Sequence, residues 1–436
     1  MITMDIIFWI MLGLISLVLL LLLFLLFFQF LFIVFAPLKP KKFKRSENYK
    51  RFAIIIPAHN EETVIKNTVK YLKEKLDYPK DLYDVFVCAD NCTDNTYNLA
   101  KEAGAIVYQR EENDPDKKRA SYPIKLLIDE VLKMDKYDAV IKMDADNIPC
   151  IDYLKVMNDA LNEGIEIARS HEAPSNMGQN IWTATASCYY ARDSRLASNF
   201  RERVGWNSML SGAGLLVSTK VLKEIGGWDA MSTIDDAEFA VLRMLEKREI
   251  HYIADALIYE DQPSSLEDSS SRNARMSNGL TKLYWGKGFK LLGMFFKTGK
   301  ISYLDMFAQL TFVQIPLLLA ISMPIYLAFF FITLIIEACG VNVYTIFDST
   351  SALWTMIITL IAGVSFIIFY YVVWTYQCFI AIYLDREYLG KDWYRDAKKG
   401  IWLSAFTMMA YSTSVGEGSS KKEVTWKSLK RNTPKE

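Results

Sequence analysis

The chain has 436 residues, and its 50 basic and 50 acidic side chains cancel to a net charge of +0. That balance excludes the basic footprint of a nucleic-acid binder, while the length allows a sizeable soluble domain together with membrane segments. Six cysteines, none in a Cys-x-x-Cys pair, argue against a disulfide framework or a zinc ribbon and fit a reducing compartment.

In chain order, residues 6–36 form an almost unbroken apolar run. It exceeds the roughly 20 residues that a bilayer-spanning helix needs. No basic residue precedes it and no small-residue cleavage site follows, so it reads as an uncleaved anchor. Lys39, Lys41, Lys42, Lys44 and Arg45 come next, a basic flank that places the following domain on the cytosolic side.

From 49 to about 265 the pattern alternates. Strands are predicted at 51–57, 83–89, 105–109 and 137–143, and helices at 61–76, 96–103 and 124–132. Such alternation predicts a parallel sheet with helices on both faces. Ligands bind beyond the carboxyl ends of strands in these sheets. Three polar clusters fall there: Pro57-Ala58-His59-Asn60-Glu61, Asp90-Asn91-Cys92-Thr93-Asp94 and Asp144-Ala145-Asp146. Alternate residues of an extended strand end point the same way. Asp144 and Asp146 are therefore expected to converge on one hard cation, Mg2+ or Mn2+, able to bridge to phosphate. Neither a P-loop nor a Gly-x-Gly-x-x-Gly turn follows any predicted strand, which disfavours a P-loop nucleotidase or a dinucleotide dehydrogenase.

Further along, Asp235 and Asp236 precede a helical pattern, where one carboxylate could serve the helix dipole and the other chemistry. His59 reads as a pocket-wall or turn residue. Gly226-Gly227-Trp228-Asp229 reads either as a helix stop or as an acceptor-side element carrying Trp228. The aromatic, lysine-containing stretch 284–290 fits an interfacial helix. Two more apolar blocks, 306–337 and 353–384, enclose a loop without Lys or Arg, the pattern of an outside hairpin. The last apolar piece, 401–415, is short for a span and reads as interfacial or re-entrant, with a basic tail after it. The expected organisation is an anchor at 1–38, a catalytic domain at 49–265, an acceptor-side interfacial segment at 266–304, two spans within 305–384 and a cytosolic or interfacial end at 385–436.

These motifs, in this order and spacing, resemble the membrane-integrated branch of the family-2 glycosyltransferases. That branch includes cellulose, chitin, hyaluronan and poly-N-acetylglucosamine synthases and ceramide glucosyltransferases. The resemblance runs from about residue 51 to 279. It rests on Ile54-Ile55-Ile56-Pro57-Ala58-His59-Asn60-Glu61-Glu62, on Asp90, on Asp144-Ala145-Asp146, on Ser211-Gly212-Ala213-Gly214, on Gly226-Gly227-Trp228-Asp229 and on Thr233-Ile234-Asp235-Asp236. It implies a GT-A α/β domain that binds a UDP-sugar, with transmembrane and interfacial helices around it. Pro57, Ala58, Glu61, Asp90, Asp144 and Arg275 would line the donor site, with Asp90 at the nucleobase. Asp144 would face the ribose–diphosphate and Asp146 would ligate the metal. Asp236 would be the general base, with Asp235 standing where relatives have Glu. Arg272, Arg275 and Met276 align with the family's Gln/Arg-x-x-Arg-Trp motif, Met276 replacing the Trp beside the acceptor. Trp228, Asp235, Arg272 and Met276 form the expected acceptor side.

The implied activity is inverting transfer of a hexose or N-acetylhexosamine at a cell membrane. A growing cell-surface polysaccharide is the favoured acceptor and a membrane lipid the alternative, with an accessory membrane subunit as a further partner. An inactive partner subunit of an envelope-synthesis complex is the reading from another class; the intact Asp90, Asp144, Asp146 and Asp236 argue against it.

Overall fold

The structure, a computed structural model, describes residues 4–312, 314–340 and 349–406. Helix α1 (Met4–Val34) carries the first apolar run. A mixed sheet of eight strands follows. It opens with β1 (Phe52–Ala58), α2 (Ile65–Lys75), β2 (Tyr83–Asp90), α3 (Thr96–Glu102), β3 (Ile106–Arg110), α4 (Ser121–Met134) and β4 (Ala139–Lys142). These four strands are parallel, and β1 lies between β2 and β4. The chain steps outward to β3 and returns past β1 to β4, which opens a crevice at the carboxyl ends of β1, β2 and β4. Phe52, Ile54 and Ile56 of β1 share a core with Val69 and Leu72 of α2, whereas Ala53 and Ile55 share one with Ile124, Leu127 and Val131 of α4. A strand covered on both faces must be apolar throughout, hence the unbroken run.

The second half comprises β5 (Ile148–Pro149), α5 (Tyr153–Asn162), β6 (Ile167–Pro174), α6 (Ile181–Ala191), α7 (Asn199–Val204), β7 (Leu215–Ser218), α8 (Thr219–Glu224), α9 (Asp235–Leu245) and β8 (His251–Glu260). Strand order is β3-β2-β1-β4-β7-β6-β8-β5. The all-parallel expectation is corrected here, because β7 runs antiparallel to both β4 and β6, and β5 antiparallel to β8. The cause is a helical excursion. The chain leaves at the carboxyl end of β6, passes through α6, a π-helical stretch (Arg192–Ser198) and α7, and re-enters at that same end. Leu215 pairs with Lys142, so the loop before β7 is set down beside the Asp144–Asp146 turn.

Beyond β8, α10 (Leu266–Leu283) passes through a π-helical turn (Tyr284–Gly288) into α11 (Phe289–Thr298). Then come α12 (Ile301–Phe312), α13 (Ile315–Ala338) and α14 (Ser349–Ala397), the last interrupted at Gly390, which has φ +86°. Among the described residues three helical stretches are long and apolar enough to cross a membrane: Met4–Val34, Ile321–Ala338 and Thr350–Phe406. The apolar block expected at 306–337 is thus divided between α12 and α13. Residues 401–406 are helical, while the remainder of the 401–415 segment and the basic tail lie outside the described residues.

Polar contacts join these helices to the sheet domain. The Arg192 guanidinium donates to Gln377 Oε1 of α14 at 2.6 Å and to Gln29 of α1, and it stacks 4.0 Å from the Trp374 ring. Arg201 of α7 makes two contacts to Asp305 of α12, at 2.7 and 3.1 Å. Both residues of that pair are buried.

Candidate active site

At the carboxyl end of β1, Pro57 and Ala58 close the strand and are buried. Asn60 and Asn91 follow β1 and β2 with φ of 56° and 49°, left-handed turns that Asn tolerates. Their side-chain carbonyls accept from Thr93 N and Glu112 N, both at 2.8 Å, which ties the two loops to their neighbours. Glu61 is buried, and its backbone N–H donates to Thr96 Oγ1 at 2.9 Å. His59 Nδ1 sits 2.7 Å from the Asp90 carbonyl. Asp90 is buried in an ion pair with Arg110 at 2.6 Å, and the Arg110 guanidinium lies over the Tyr122 ring. Arg110 was not anticipated from the sequence. A charged residue closing a strand next to a buried carboxylate is the trace it leaves.

Beyond the carboxyl end of β4, three carboxylates (Asp144, Asp235 and Asp236) and two cations (Lys142 and Arg275) meet. Asp144 is 44% exposed toward the crevice, and Asp146 is buried with Oδ2 accepting from Asp261 N at 3.2 Å. Asp235 and Asp236 open α9, where the helix dipole favours negative charge, and Asp236 Oδ1 accepts from Ala237 N at 2.7 Å. A Cβ added to Gly212 would lie 3.6 Å from Asp144 Oδ2 and 3.8 Å from Asp236 Oδ2. Strand end, loop and helix start therefore converge on one point. Arg275, half-buried on α10, faces the same charges. Burial, then Arg272, pulls its guanidinium below the ordinary range, and Asp144, Asp236 and Asp235 oppose that.

Lys142, also unanticipated, closes β4 under this cluster with its side chain 7% exposed. Its Nζ stands 4.0 Å from both Asp144 Oδ1 and Asp235 Oδ2. Burial alone would lower this ammonium, yet Asp235, Asp144 and Asp236 hold it above its usual range. Burial pushes the Asp235 carboxyl up to about 6 against the pull of Lys142, with Asp236 and Asp144 adding to the rise. A lone lysine in an otherwise apolar buried strand was the available sign.

Arg272 lies to one side. It donates to Gln262 Oε1 at 2.8 Å and to the Tyr190 hydroxyl at 2.7 Å, and the Tyr190 hydroxyl in turn reaches Glu260 at 2.5 Å. Met276 is half-buried on the same helix. Trp228 is not brought to the cluster: it is 3% exposed and stacked on Phe239 in the core, with centroids 4.4 Å apart and planes 7° from parallel. Glu172 was missed as well. Buried on β6, it accepts from Ser211 Oγ at 3.0 Å and so anchors the loop that carries Gly212.

Among the described residues no three His, Cys, Asp or Glu side chains are placed to hold a metal ion. Asp144 and Asp146 supply two hard oxygen donors, one of them open to the crevice. Carboxylate oxygens of this kind are the chemistry that Mg2+ or Mn2+ takes.

Comparison with known proteins accords with this geometry. The family model described as "Glycosyltransferase like family 2" matches residues 50–279. A beta-monoglucosyldiacylglycerol synthase of Synechocystis is 27% identical over 220 residues, covering 49% of this chain and 44% of that protein. The probable glycosyltransferase YdaM of Bacillus subtilis is 24% identical, covering 58% and 60%. The chain thus spans about half the length of the curated relatives it matches. In fold it is similar to the mannosyltransferase PcManGT of Pyrobaculum calidifontis, solved with GDP-Man and Mn2+. That likeness has a TM-score of 0.57 and 16% identity, and covers 94% of this chain and all of that one. With the family model matching more than half of its residues, the chain belongs to glycosyltransferase family 2, and its catalytic-domain fold is of the GT-A kind.

Proposed function

We propose that this enzyme transfers a hexose from a UDP-sugar to a membrane lipid, with inversion at the anomeric carbon. One observation carries the choice of a lipid acceptor. The helix bearing Arg272, Arg275 and Met276 continues through its π-helical turn into α11, where Trp285, Phe289 and Phe296 are 65%, 50% and 76% exposed. Exposed aromatics flanked by Lys290 and Lys297 suit the interface of a bilayer, and they bring the acceptor side of the site to that plane. The relatives named as glucosyldiacylglycerol synthases support the same reading. A lipid also needs no aromatic platform at Met276, whereas a sugar chain would benefit from one.

In this mechanism Asp90 and Glu61 hold the nucleobase end, and Asp144 and Asp146 would hold a divalent ion that neutralises the leaving diphosphate. Arg275 adds a fixed positive charge beside it. Asp236 accepts the proton of the acceptor hydroxyl as its oxygen bonds to the anomeric carbon. The bond to the diphosphate oxygen breaks, and UDP departs with that electron pair. The basic flank 39–45 supports a cytosolic placement of the catalytic domain in this reading.

Product size tests the choice. The full chain in nanodiscs of native lipid, supplied with Mn2+ and radiolabelled UDP-sugars, should yield a small chloroform-soluble product. A high-mass product cleaved by a glycan hydrolase would replace this reading with the polysaccharide one.

A further inference from the structure

The mechanism above leaves Lys142 without a task. Its side chain is buried, yet among the described residues its ammonium has two carboxylate neighbours at 4.0 Å and makes no hydrogen bond. Asp235 Oδ2, one of those neighbours, is likewise buried without a hydrogen-bond partner. A buried carboxylate oxygen whose counter-ion stands at 4.0 Å, beyond hydrogen-bond distance, is costly unless a ligand completes its hydrogen bonding. The space over them belongs to Gly212, where a Cβ would come within 3.0 Å of Lys142 Nζ. Asp144 and Asp236 border the same space at 3.6 and 3.8 Å.

The chemistry of this lining selects its occupant. Three carboxylates around one ammonium repel a phosphate. A sugar hydroxyl, in contrast, accepts from an ammonium and donates to a carboxylate at once. We infer that Lys142 and Asp235 form the subsite that reads hydroxyls of the transferred hexose, under a roof kept open by Gly212. The inference rests on the proposed sugar-nucleotide reading of the crevice and deepens it. The UDP part engages the Asp90 end and the Asp144–Asp146 turn, and the hexose turns toward Lys142. Asp235 thereby passes from the acceptor side to the donor sugar.

The test is calorimetric binding of UDP, UDP-glucose and UDP-galactose to the full chain in nanodiscs with Mn2+. Lys142→Met should leave the UDP Kd within about two-fold, weaken the better UDP-hexose about ten-fold or more, and shrink the preference between the two epimers. Gly212→Ala, which fills the space without removing a charge, should reproduce the selective loss and guards against misfolding of the lysine variant. Equal weakening of UDP and UDP-hexose in both variants, or an unchanged UDP-hexose Kd in both, would overturn the subsite. A wild-type chain that binds neither UDP nor UDP-hexose would instead remove the sugar-nucleotide reading, and the subsite with it.

Discussion

Gly279 of α10 lies against Ile234 so closely that a Cβ on the glycine would sit 2.6 Å from Ile234 Cγ2. Ile234 immediately precedes Asp235 and Asp236, and Gly279 follows Arg275 by one helical turn. This contact sets how near the arginine helix comes to the carboxylates. Gly279→Ala must push the two elements apart, at a cost of about 1–3 kcal/mol from overpacking. Donor turnover should fall at least about ten-fold, because reacting groups tolerate little misplacement. Steady-state kinetics beside thermal unfolding separate the effects; unchanged kcat/KM would show that α10 does not position the site.

Asp236→Asn keeps the shape of the side chain and removes its ability to take a proton. We predict a loss of about 10²–10⁴-fold in kcat, the range for a general base, with the UDP Kd unchanged. Loss of UDP binding in the same variant would make Asp236 a structural residue of the α9 start.

Strands β1, β2 and β4 were legible because burial on both faces demands continuous apolar residues. β6 was not legible. Its central Arg169, Ser170, His171 and Glu172 look like a loop, yet every residue of the strand is buried. The strand is tolerated because distant partners satisfy it: Asp193 for Arg169, the Gly214 carbonyl for Ser170, Asp385 for His171 and Ser211 for Glu172. Such pairings across tens to hundreds of residues leave no local pattern. The acidic motifs of the site could be read because they are contiguous. Lys142 acquires its neighbours only when β7 pairs backward onto β4 and α9 docks beside it, and neither event is written in the strand itself.

Chelation should weaken donor binding without unfolding the protein. On the proposed reading Asp144 and Asp146 would be the protein's ligands to the ion, and the diphosphate would supply further oxygens. EDTA should therefore weaken UDP affinity and leave the melting temperature of the ligand-free chain unchanged. Asp146→Asn should abolish the Mn2+ dependence of the UDP Kd. A ligand-free melting temperature that falls with EDTA would point to a structural metal instead.

Arg201 and Asp305 tie the helical excursion to α12, both buried and in double contact. Removing one partner of a buried pair typically costs about 3–5 kcal/mol, because the other charge is stranded. Arg201→Met alone should destabilise by that order. Arg201→Met with Asp305→Leu should recover much of the loss, since no charge is then left buried. Thermal or chemical unfolding of the single and double variants decides the matter, and additive losses would exclude direct coupling.

Glu172 makes stability depend on pH. Burial raises its carboxyl from the ordinary 4.5 to about 8, Arg169 pulls it back, and Glu260 and Asp193 push it further up. The native state then keeps a proton that the unfolded chain gives up. Because the native form binds more protons between these two values, unfolding free energy falls as pH rises from about 4.5 to about 8 and levels off beyond. Glu172→Gln cannot titrate, and its amide oxygen can still accept from Ser211 Oγ. The melting temperature of the variant minus that of the wild type should therefore grow more positive between pH 5 and pH 8. A difference that stays flat across that window would mean that Glu172 is ionised throughout, with Arg169 as the partner that keeps it so.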